Sequence, residues 1–264
     1  MNASRVRGLM LAAIAAVPVG LFAVQAVPQT PPRPTGLKPA APAPATPADP
    51  MLARFAKVSP ANIADAMDQV GGGRGFLDHD VRPYVAGSFV GRAATSLVRA
   101  VPADQSTPAT AAKHSVDMID GSAPGDVGVL VMEGSLDVAA MGGLMGTAAK
   151  VRGMAGMVID GAFRDVQEIR ALGLPVYARA ISPANAVGRF ASVASQIPVK
   201  CAGVTINLGD IIVASEEGVV AISRNKADVV LKRAEEIALR EQRMLPLIRK
   251  HKSVGEAIKA YNWI

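Results

Sequence analysis

Cysteine and aromatic residues are scarce in this chain. Cys201 is the single cysteine among 264 residues, which excludes a disulfide scaffold and a cysteine-rich zinc site. Aromatic side chains make up 4% of the chain, too few to build a stacking platform for nucleic-acid bases. Apolar residues make up 50%, so the chain can form a sizeable core and is not globally disordered.

The net charge of +6 and the pI of 9.7 invite a nucleic-acid interpretation. However, residues 1–50 contain four basic residues and one acidic residue, so this short segment carries half of the net charge. The remaining 214 residues carry only +3, and their length fits one domain of ordinary size. We therefore predict no nucleic-acid partner.

The first 26 residues have the layout of an export segment. Arg5 and Arg7 precede residues 8–26, which are uncharged, and Val24 and Ala26 are small residues at the −3 and −1 positions of a cleavage site. The alternatives are an uncleaved membrane anchor, since 19 residues are just long enough to span a bilayer, and a true start at Met51. The sequence predicts an exported, periplasmic or membrane-anchored protein, or a cytoplasmic one if this segment is not genuine.

Residues 27–50 contain nine of the 19 prolines and are predicted to be an extended linker. Residues 51–264 then alternate the patterns of strands and helices, which predicts an α/β domain with a mixed sheet or two sheets. Strands are expected within residues 81–100 and at residues 127–132, 156–160, 175–179, 204–206, 211–214 and 219–222. Helices are expected at residues 61–70, 147–152, 164–172 and 228–245, with a glycine-rich bend at 141–146 and a capping box at 253–256.

Polar residues cluster where the strand at 156–160 leads into a helix. Arg164 offers a bidentate fork for a carboxylate ligand. Asp165 and Glu168 are three residues apart, so on a helix they share a face and both address one cation. Because ligand sites in open α/β sheets lie beyond the carboxyl ends of strands, this is a candidate site. The alternative is an ordinary helix start, where the dipole favours acidic residues and the Arg pairs with one of them.

The bend at residues 142–146 is a second candidate. Glycines let a backbone approach a ligand, and N–H groups at the start of a helix bind anions. A tight turn with close packing explains the same glycines equally well.

Taken together, the stretch GGLMGTAAKVRGMAGMVIDGAFRDVQE resembles the RraA-like family, which includes class II 4-hydroxy-4-methyl-2-oxoglutarate/4-carboxy-4-hydroxy-2-oxoadipate aldolases. The family motif is Gly, or an acid in the aldolase branch, then twenty residues, then Arg-Asp. Gly143 and Arg164 have this spacing, and Glu168 matches the acid that accompanies the glycine variant. Further stretches, SPANIADAM, VRPYVAG, PGDVGVLV, LPVYARAISP and GVTINLGDIIVASEEGVVAI, extend the resemblance over residues 51–222.

The resemblance implies a swivelling β/β/α fold with mixed sheets and flanking helices. It also implies that Arg164 and Asp165 are catalytic, and that Asp165, supported by Glu168, holds Mg²⁺ or Mn²⁺ largely through water. The substrate-binding residues would be Gly142, Gly143, Leu144, Met145 and Arg164. A homotrimer or hexamer is implied, with the site between neighbours; in the aldolase branch a neighbour's C-terminal region supplies an acid, for which Glu241 is a candidate here.

The implied activity is a metal-dependent lyase reaction on 2-keto acids through a metal-stabilised pyruvate enolate, as in retro-aldol cleavage or oxaloacetate decarboxylation. Gly143 departs from the acid of the aldolase branch, which favours decarboxylation or an unassigned lyase reaction. Two non-catalytic alternatives are a regulatory protein of the ribonuclease-inhibitor type and an exported keto-acid-binding domain. His79, His114, His251 and Cys201 lie outside both motifs and are interpreted as surface, turn or packing residues.

Overall fold

The computed structural model describes residues 49–71 and 73–261. The predicted export segment, and the predicted linker up to residue 48, lie outside the described residues. In the described part no helix is long and apolar enough to cross a membrane. The helices are α1 (Pro50–Phe55), α2 (Pro60–Gln69), α3 (Pro108–Asp120), α4 (Gly143–Val151), α5 (Val166–Leu172), α6 (Ala227–His251) and α7 (Val254–Tyr261).

The strands are β1 (Arg82–Val85), β2 (Phe89–Ala100), β3 (Val127–Glu133), β4 (Ala139–Met141), β5 (Gly156–Phe163), β6 (Val176–Ile181), β7 (Phe190–Ser195), β8 (Val199–Cys201), β9 (Val204–Ile206), β10 (Ile211–Ser215) and β11 (Gly218–Ile222). The main sheet has the order β1-β6-β5-β3-β2-β10-β11, with β4 beside β5 and β7 beside β2. Strands β2, β3, β5 and β6 are parallel neighbours, whereas β1, β7, β10 and β11 pair antiparallel. This mixed sheet with flanking helices confirms the predicted fold class.

The sheet buries side chains on both faces, as the apolar runs in its central strands require. On β5, Val158 faces a cluster closed by the β8–β9 hairpin, whereas the next residue, Ile159, faces a cluster that includes residues of α3, α4 and α5. A third cluster packs α1, α2 and α6 against β10 and β11. Helices α4 and α5 pack against this sheet, and the packing fixes the positions of their first turns. The candidate site lies at those first turns.

Helix α2, predicted at residues 61–70, begins with a capped first turn. The Ser59 side chain accepts a hydrogen bond from the Asn62 N–H, and Pro60 occupies the first helical position, where its missing N–H costs nothing. Val230, Ala234 and Ile237 follow one another at i, i+4 and i+7 on α6, and the face that they form is buried. The α6 helix nevertheless continues past Pro246, contrary to the predicted end near residue 245. Pro246 lies on an exposed part of the helix, and the turns around it are held by packing between α6 and α7, where Met244 is buried.

The structure also differs from the prediction elsewhere. Helix α1 and strands β4, β7 and β8 were not expected from the sequence. Helix α3 was not predicted; it begins with a capping box in which Thr107 and Thr110 exchange hydrogen bonds. The expected bend at residues 142–146 instead forms the first turns of α4. Strand β5 continues to Phe163, so Asp160 lies inside the strand, and the helix predicted from residue 164 begins at Val166. Strand pairing along β4 and β6 extends β5 further than its apolar run suggests.

Candidate functional site

The turn between β5 and α5 positions Arg164 and Asp165. The Arg164 N–H donates to the Met141 carbonyl at 3.0 Å, which ties this turn to the end of β4. Asp165 adopts a left-handed backbone conformation (φ 59°, ψ 41°), which Asp tolerates better than most residues. The Ile169 N–H then donates to the Asp165 carbonyl at 3.0 Å and starts the helix. Both side chains therefore lie at the carboxyl edge of the parallel strands, where ligands bind in α/β sheets.

Asp165 also caps the neighbouring helix α4. Its Oδ2 accepts a hydrogen bond from the Gly143 N–H at 2.8 Å. The first intrahelical bond of α4 runs from the Gly146 N–H to the Gly142 carbonyl at 2.9 Å. The N–H groups of Leu144 and Met145 therefore have no carbonyl one turn earlier to bind. The start of α4 thus combines one capped N–H with two N–H groups free to bind an anion.

The glycines at the start of α4 make room for side chains of the β5–α5 segment. A Cβ placed on Gly142 would lie 2.7 Å from Asp165 Oδ2 and 3.0 Å from Arg164 Nε. A Cβ on Gly143 would overlap Glu168 Oε2. The two carboxylates therefore converge on this pair of glycines, which brings together Gly142, Gly143, Arg164, Asp165 and Glu168 as the sequence predicts. Leu144 and Met145 follow in the first turn of α4.

The charged side chains here remain open to solvent. Arg164 Nε lies 3.7 Å from Asp165 Oδ2, and the two side chains are 40% and 38% exposed. Within the described residues the guanidinium makes no other ion pair, so its Nη groups remain available to a carboxylate ligand. The arrangement can therefore hold an anion beside two carboxylates.

The donor set fits a cation bound mainly through water. The described residues contain no group of three or more His, Cys, Asp or Glu side chains that could enclose a metal ion. Asp165 and Glu168 offer two carboxylates, and one Asp165 oxygen already accepts the Gly143 N–H. Mg²⁺ commonly binds through one or two carboxylates and keeps several waters, so these two residues fit such an ion.

Comparison with known proteins identifies the family. A family model described as RraA-like, Aldolase/RraA, matches residues 60–221, which is more than half of the chain. The chain belongs to the RraA-like family. The match confirms the resemblance seen in the sequence and covers β1 to β10 and most of β11, together with the Gly143, Arg164, Asp165 and Glu168 positions.

Individual relatives are similar to parts of the chain. Protein DlpA of Legionella pneumophila is 30% identical over 202 residues, covering 76% of this chain and 32% of that protein. A protein of Halalkalibacterium halodurans named "Putative 4-hydroxy-4-methyl-2-oxoglutarate aldolase" is 35% identical over 118 residues, covering 43% of this chain and 54% of that protein. The chain spans about half or less of the length of these curated relatives.

A crystal structure of an uncharacterised protein from Pseudomonas syringae superposes with a TM-score of 0.72 at 28% identity. It covers 84% of this chain and 99% of that chain. The fold of this chain is therefore similar to that of the Pseudomonas syringae protein over most of its length.

The remaining candidates lie away from these turns. Glu241 on α6 accepts a hydrogen bond from Asn62 Nδ2 at 2.7 Å, so within one chain it belongs to the α2–α6 contact. His79 and His251 are exposed, and His114 lies 3.3 Å from Asp117 on α3. Cys201 is fully buried, and burial raises the pKa of its thiol well above the usual range. This burial agrees with the interpretation of Cys201 as a packing residue.

Sequence reasoning missed an ion-pair network on the opposite face of the sheet. Arg179 on β6 pairs with Asp160 at 3.0 Å and with Asp80 at 2.6 Å. Asp160 also accepts the Ala202 N–H at 2.5 Å, which joins β5 to the β8–β9 hairpin. The pairs with Asp80 and Asp160 raise the pKa of Arg179 although its burial acts in the opposite direction. The signal in the sequence for this network is Arg179, a charged residue inside the otherwise apolar strand β6.

A sizeable cleft among the described residues also lies apart from the candidate site. Its volume is about 960 Å³, and it is lined by α1, the start of β2 and the loop before β3, with none of the candidate site residues. Asp126 in this lining is half-buried, and burial raises the pKa of its carboxyl. The same lining contains the Asp49–Arg92 ion pair at 2.6 Å. The volume of a cleft alone does not identify its chemistry.

Proposed function

We propose that this RraA-like chain is a divalent-metal-dependent lyase that acts on 2-keto acids. The observation that carries the proposal is the convergence of Asp165 and Glu168 on the glycine pair at the start of α4, with Arg164 beside them. Relatives named as 4-hydroxy-4-methyl-2-oxoglutarate aldolases support a lyase activity in the matched part of the chain.

The substrate would be held through its negative charges. Arg164 would bind a carboxylate of the keto acid with two parallel hydrogen bonds, since its Nη groups make no ion pair within the described residues. The N–H groups of Leu144 and Met145 would donate hydrogen bonds to the substrate oxygen that acquires charge as a carbon–carbon bond breaks. Donors fixed in advance stabilise that charge without reorganising during the reaction.

Asp165 and Glu168 would hold Mg²⁺ or Mn²⁺, largely through water. Such an ion, when bound, supplies Lewis-acid stabilisation for the charge that develops on the keto oxygen. Asp165 contributes to this site in two ways, because the same carboxylate fixes the start of α4 through the Gly143 N–H. The Asp165 carboxylate would therefore link the metal ion to the anion-binding N–H groups at the start of α4.

The position of Glu168 bears on which reaction is favoured. Loss of CO₂ from oxaloacetate requires only that the enolate be stabilised, whereas retro-aldol cleavage also requires a base for the 4-hydroxyl group. The aldolase branch carries an acid at the position of Gly143, and here Glu168 fills the space beside that position. We propose decarboxylation as the more efficient reaction and retro-aldol cleavage as the slower one.

The test is pyruvate formation by the full chain with Mg²⁺ or Mn²⁺, using oxaloacetate and 4-hydroxy-4-methyl-2-oxoglutarate in separate assays. Asp165→Asn is expected to lower the rate by at least about 100-fold, as loss of a key electrostatic group commonly does. The control is Asp104→Asn, which removes an exposed carboxylate far along the chain. Pyruvate formation that is indifferent to both metal and Asp165→Asn rejects the lyase. Tight keto-acid binding without product would then favour the binding-domain alternative.

We also propose that the chain forms a homotrimer or hexamer with the site near a subunit boundary. Leu144, in the first turn of α4, is 91% exposed, and Val151, two turns later on the same helix, is 76% exposed. An apolar stripe of this kind beside a charged site is typical of a surface that another subunit covers. Light scattering of wild type and Leu144→Gln tests this: the variant should have a smaller mass at equal concentration, and an unchanged mass contradicts the proposal.

A further inference from the structure

The end of α6 and α7 extend beyond the body of the domain. Helix α6 runs antiparallel along α2, since Arg233 bonds to Gln69 at the end of α2 and Glu241 bonds to Asn62 near its start. Because α2 begins at Pro60, the last two turns of α6 pass its end. Met244 and Ala257 are buried there, but neither belongs to the three apolar clusters of the body.

This extension, residues 243–261, is here named the basic hairpin. It contains five Lys or Arg residues and one acidic residue, a net charge of +4. Residues 51–242 carry a net charge of −1, so the positive charge of the domain is concentrated in the hairpin. The basic residues are Arg243, Arg249, Lys250, Lys252 and Lys259.

Most of these charges have no partner within the described residues. The Lys259 ammonium pairs with Glu256 at 2.9 Å, but the other four side chains make no ion pair or hydrogen bond there and are exposed. Two aliphatic side chains lie among them: Leu245 is 50% exposed and Val254 is 58% exposed. Elsewhere in the domain, arginines such as Arg54, Arg99 and Arg179 are paired with carboxylates.

We propose that the basic hairpin binds an anionic lipid surface. Unpaired cations beside exposed aliphatic side chains are the composition of helices that lie at a bilayer interface, where attraction to acidic headgroups adds to apolar contact. A second copy of this chain offers less, because the hairpin has one acidic residue and the rest of the domain is nearly neutral. Tyr261 is the only aromatic residue of the described hairpin, which offers little stacking for RNA bases.

The experiment measures binding of the full chain to sedimented phosphatidylcholine vesicles with and without 30% phosphatidylglycerol, at low salt. Trp263, the single tryptophan of the chain, follows the hairpin in sequence and gives a local fluorescence signal. We expect tighter binding to the anionic vesicles, accompanied by a blue shift of the Trp263 emission. The triple variant Arg249→Gln, Lys250→Gln, Lys252→Gln should lose about 100-fold of the affinity gained from phosphatidylglycerol, at about fivefold per charge.

A matched variant, Lys200→Gln, Arg224→Gln, Lys232→Gln, removes the same charge from exposed positions on the body of the domain. It should bind anionic vesicles nearly as tightly as the wild type, and circular dichroism should show both triple variants folded. Residues 8–26 are present in every sample, so differences between variants report on the hairpin. The proposal is overturned by equal binding to both vesicle types, by equal losses in the two triple variants, by vesicle binding without a Trp263 shift, or by hairpin-dependent binding to a single-stranded RNA but not to vesicles.

Discussion

Glu168 occupies the space that a side chain at position 143 would need, because a Cβ on Gly143 overlaps the Glu168 Oε2 oxygen. The contact joins the first turn of α4 to the first turn of α5, and Asp165 joins the same two turns through its hydrogen bond to the Gly143 N–H. The absence of a side chain at position 143 is therefore part of how the two carboxylates are positioned. This relationship leads to tests that separate function from stability.

Gly143→Ala is expected to displace the Glu168 carboxylate while leaving the fold nearly as stable as the wild type. The clashing atom is the end of a flexible side chain, and alanine favours the helix by about 1 kcal/mol over glycine. Manganese-induced stabilisation, measured as the rise in Tm on adding Mn²⁺, should fall as far as it does in Glu168→Gln.

Gly146→Ala is the matched control for that variant. Its added Cβ would lie 3.0 Å from Ile169 Cγ1, inside the buried contact between α4 and α5. Overpacking there should cost about 1–3 kcal/mol in the free energy of unfolding. Gly146→Ala should start from a lower Tm, but the rise in Tm on adding Mn²⁺ should be the same as in the wild type. The reverse pattern, with Gly143→Ala unstable and Gly146→Ala unable to respond to Mn²⁺, contradicts the assignment.

Replacements of Asp165 should separate its capping role from its charge. Asn tolerates the left-handed backbone and keeps an oxygen that can accept the Gly143 N–H, whereas Ala does neither. Asp165→Ala should therefore lose about 1–2 kcal/mol more stability than Asp165→Asn in urea unfolding. Both variants should lose the Tm response to Mn²⁺. If Asp165→Asn keeps that response, the carboxylate does not hold the metal.

Asp126 should make stability depend on pH. Burial raises the pKa of its carboxyl in the folded state, so the charged form is disfavoured by folding and lowers stability above that pKa. This cost disappears as the pH falls below the unfolded value. Asp126→Asn, which keeps an acceptor for the Ala123 N–H, should therefore match or exceed the wild type in stability at pH 7.

The relative advantage of Asp126→Asn should shrink as the pH is lowered through the acidic range. Urea unfolding at pH 7 and at about pH 4 gives the comparison, with Asp104→Asn as the exposed control. An advantage that grows on acidification would mean that the Asp126 charge stabilises the fold.

Removing Arg179 should destabilise the sheet without touching the candidate site. Arg179→Met leaves Asp160, which is 14% exposed, without its cationic partner. A partly buried carboxylate left unpaired costs about 2–3 kcal/mol, reduced where solvent reaches it. The loss should appear as a lower urea midpoint, while the Mn²⁺-induced rise in Tm is retained. A change below about 0.5 kcal/mol, typical of surface positions, would show that the network contributes little.

The central strands could be predicted from the sequence because apolar runs are local patterns, and Arg164, Asp165 and Glu168 lie near one another because they are neighbours in the chain. An apolar run or a helix start can be recognised from a few consecutive residues. The twenty-residue spacing from Gly143 to Arg164 can also be counted along the sequence, as part of the family motif. The alternative interpretation of the Arg–Asp pair also proved partly right, since Arg164 does pair with Asp165 and the Asp165 carboxylate serves as a cap.

What the sequence did not predict depends on partners distant along the chain. Asp160 ends the predicted strand at 156–160, and its partners Arg179 and Ala202 lie 19 and 42 residues further along the chain. The glycine-rich pattern of residues 142–146 predicts a bend, whereas these residues form the start of α4. The close approach of Glu168 to Gly143 and of Ile169 to Gly146 depends on residues that follow more than twenty positions later in the chain. Helix α3 lacks a strongly apolar face and is recognisable mainly by its Thr107 cap.

The placement of β2 in the sheet has a consequence for the order in which the chain folds. One edge of β2 pairs with β3 soon afterwards in the sequence, but its other edge waits for β7 and β10, which begin at Phe190 and Ile211. Until those segments are synthesised, a twelve-residue strand has an open edge that can pair with another chain. Such long-range pairing slows folding and leaves intermediates prone to aggregation. A nascent chain that ends before residue 190 would therefore be the form most in need of a chaperone.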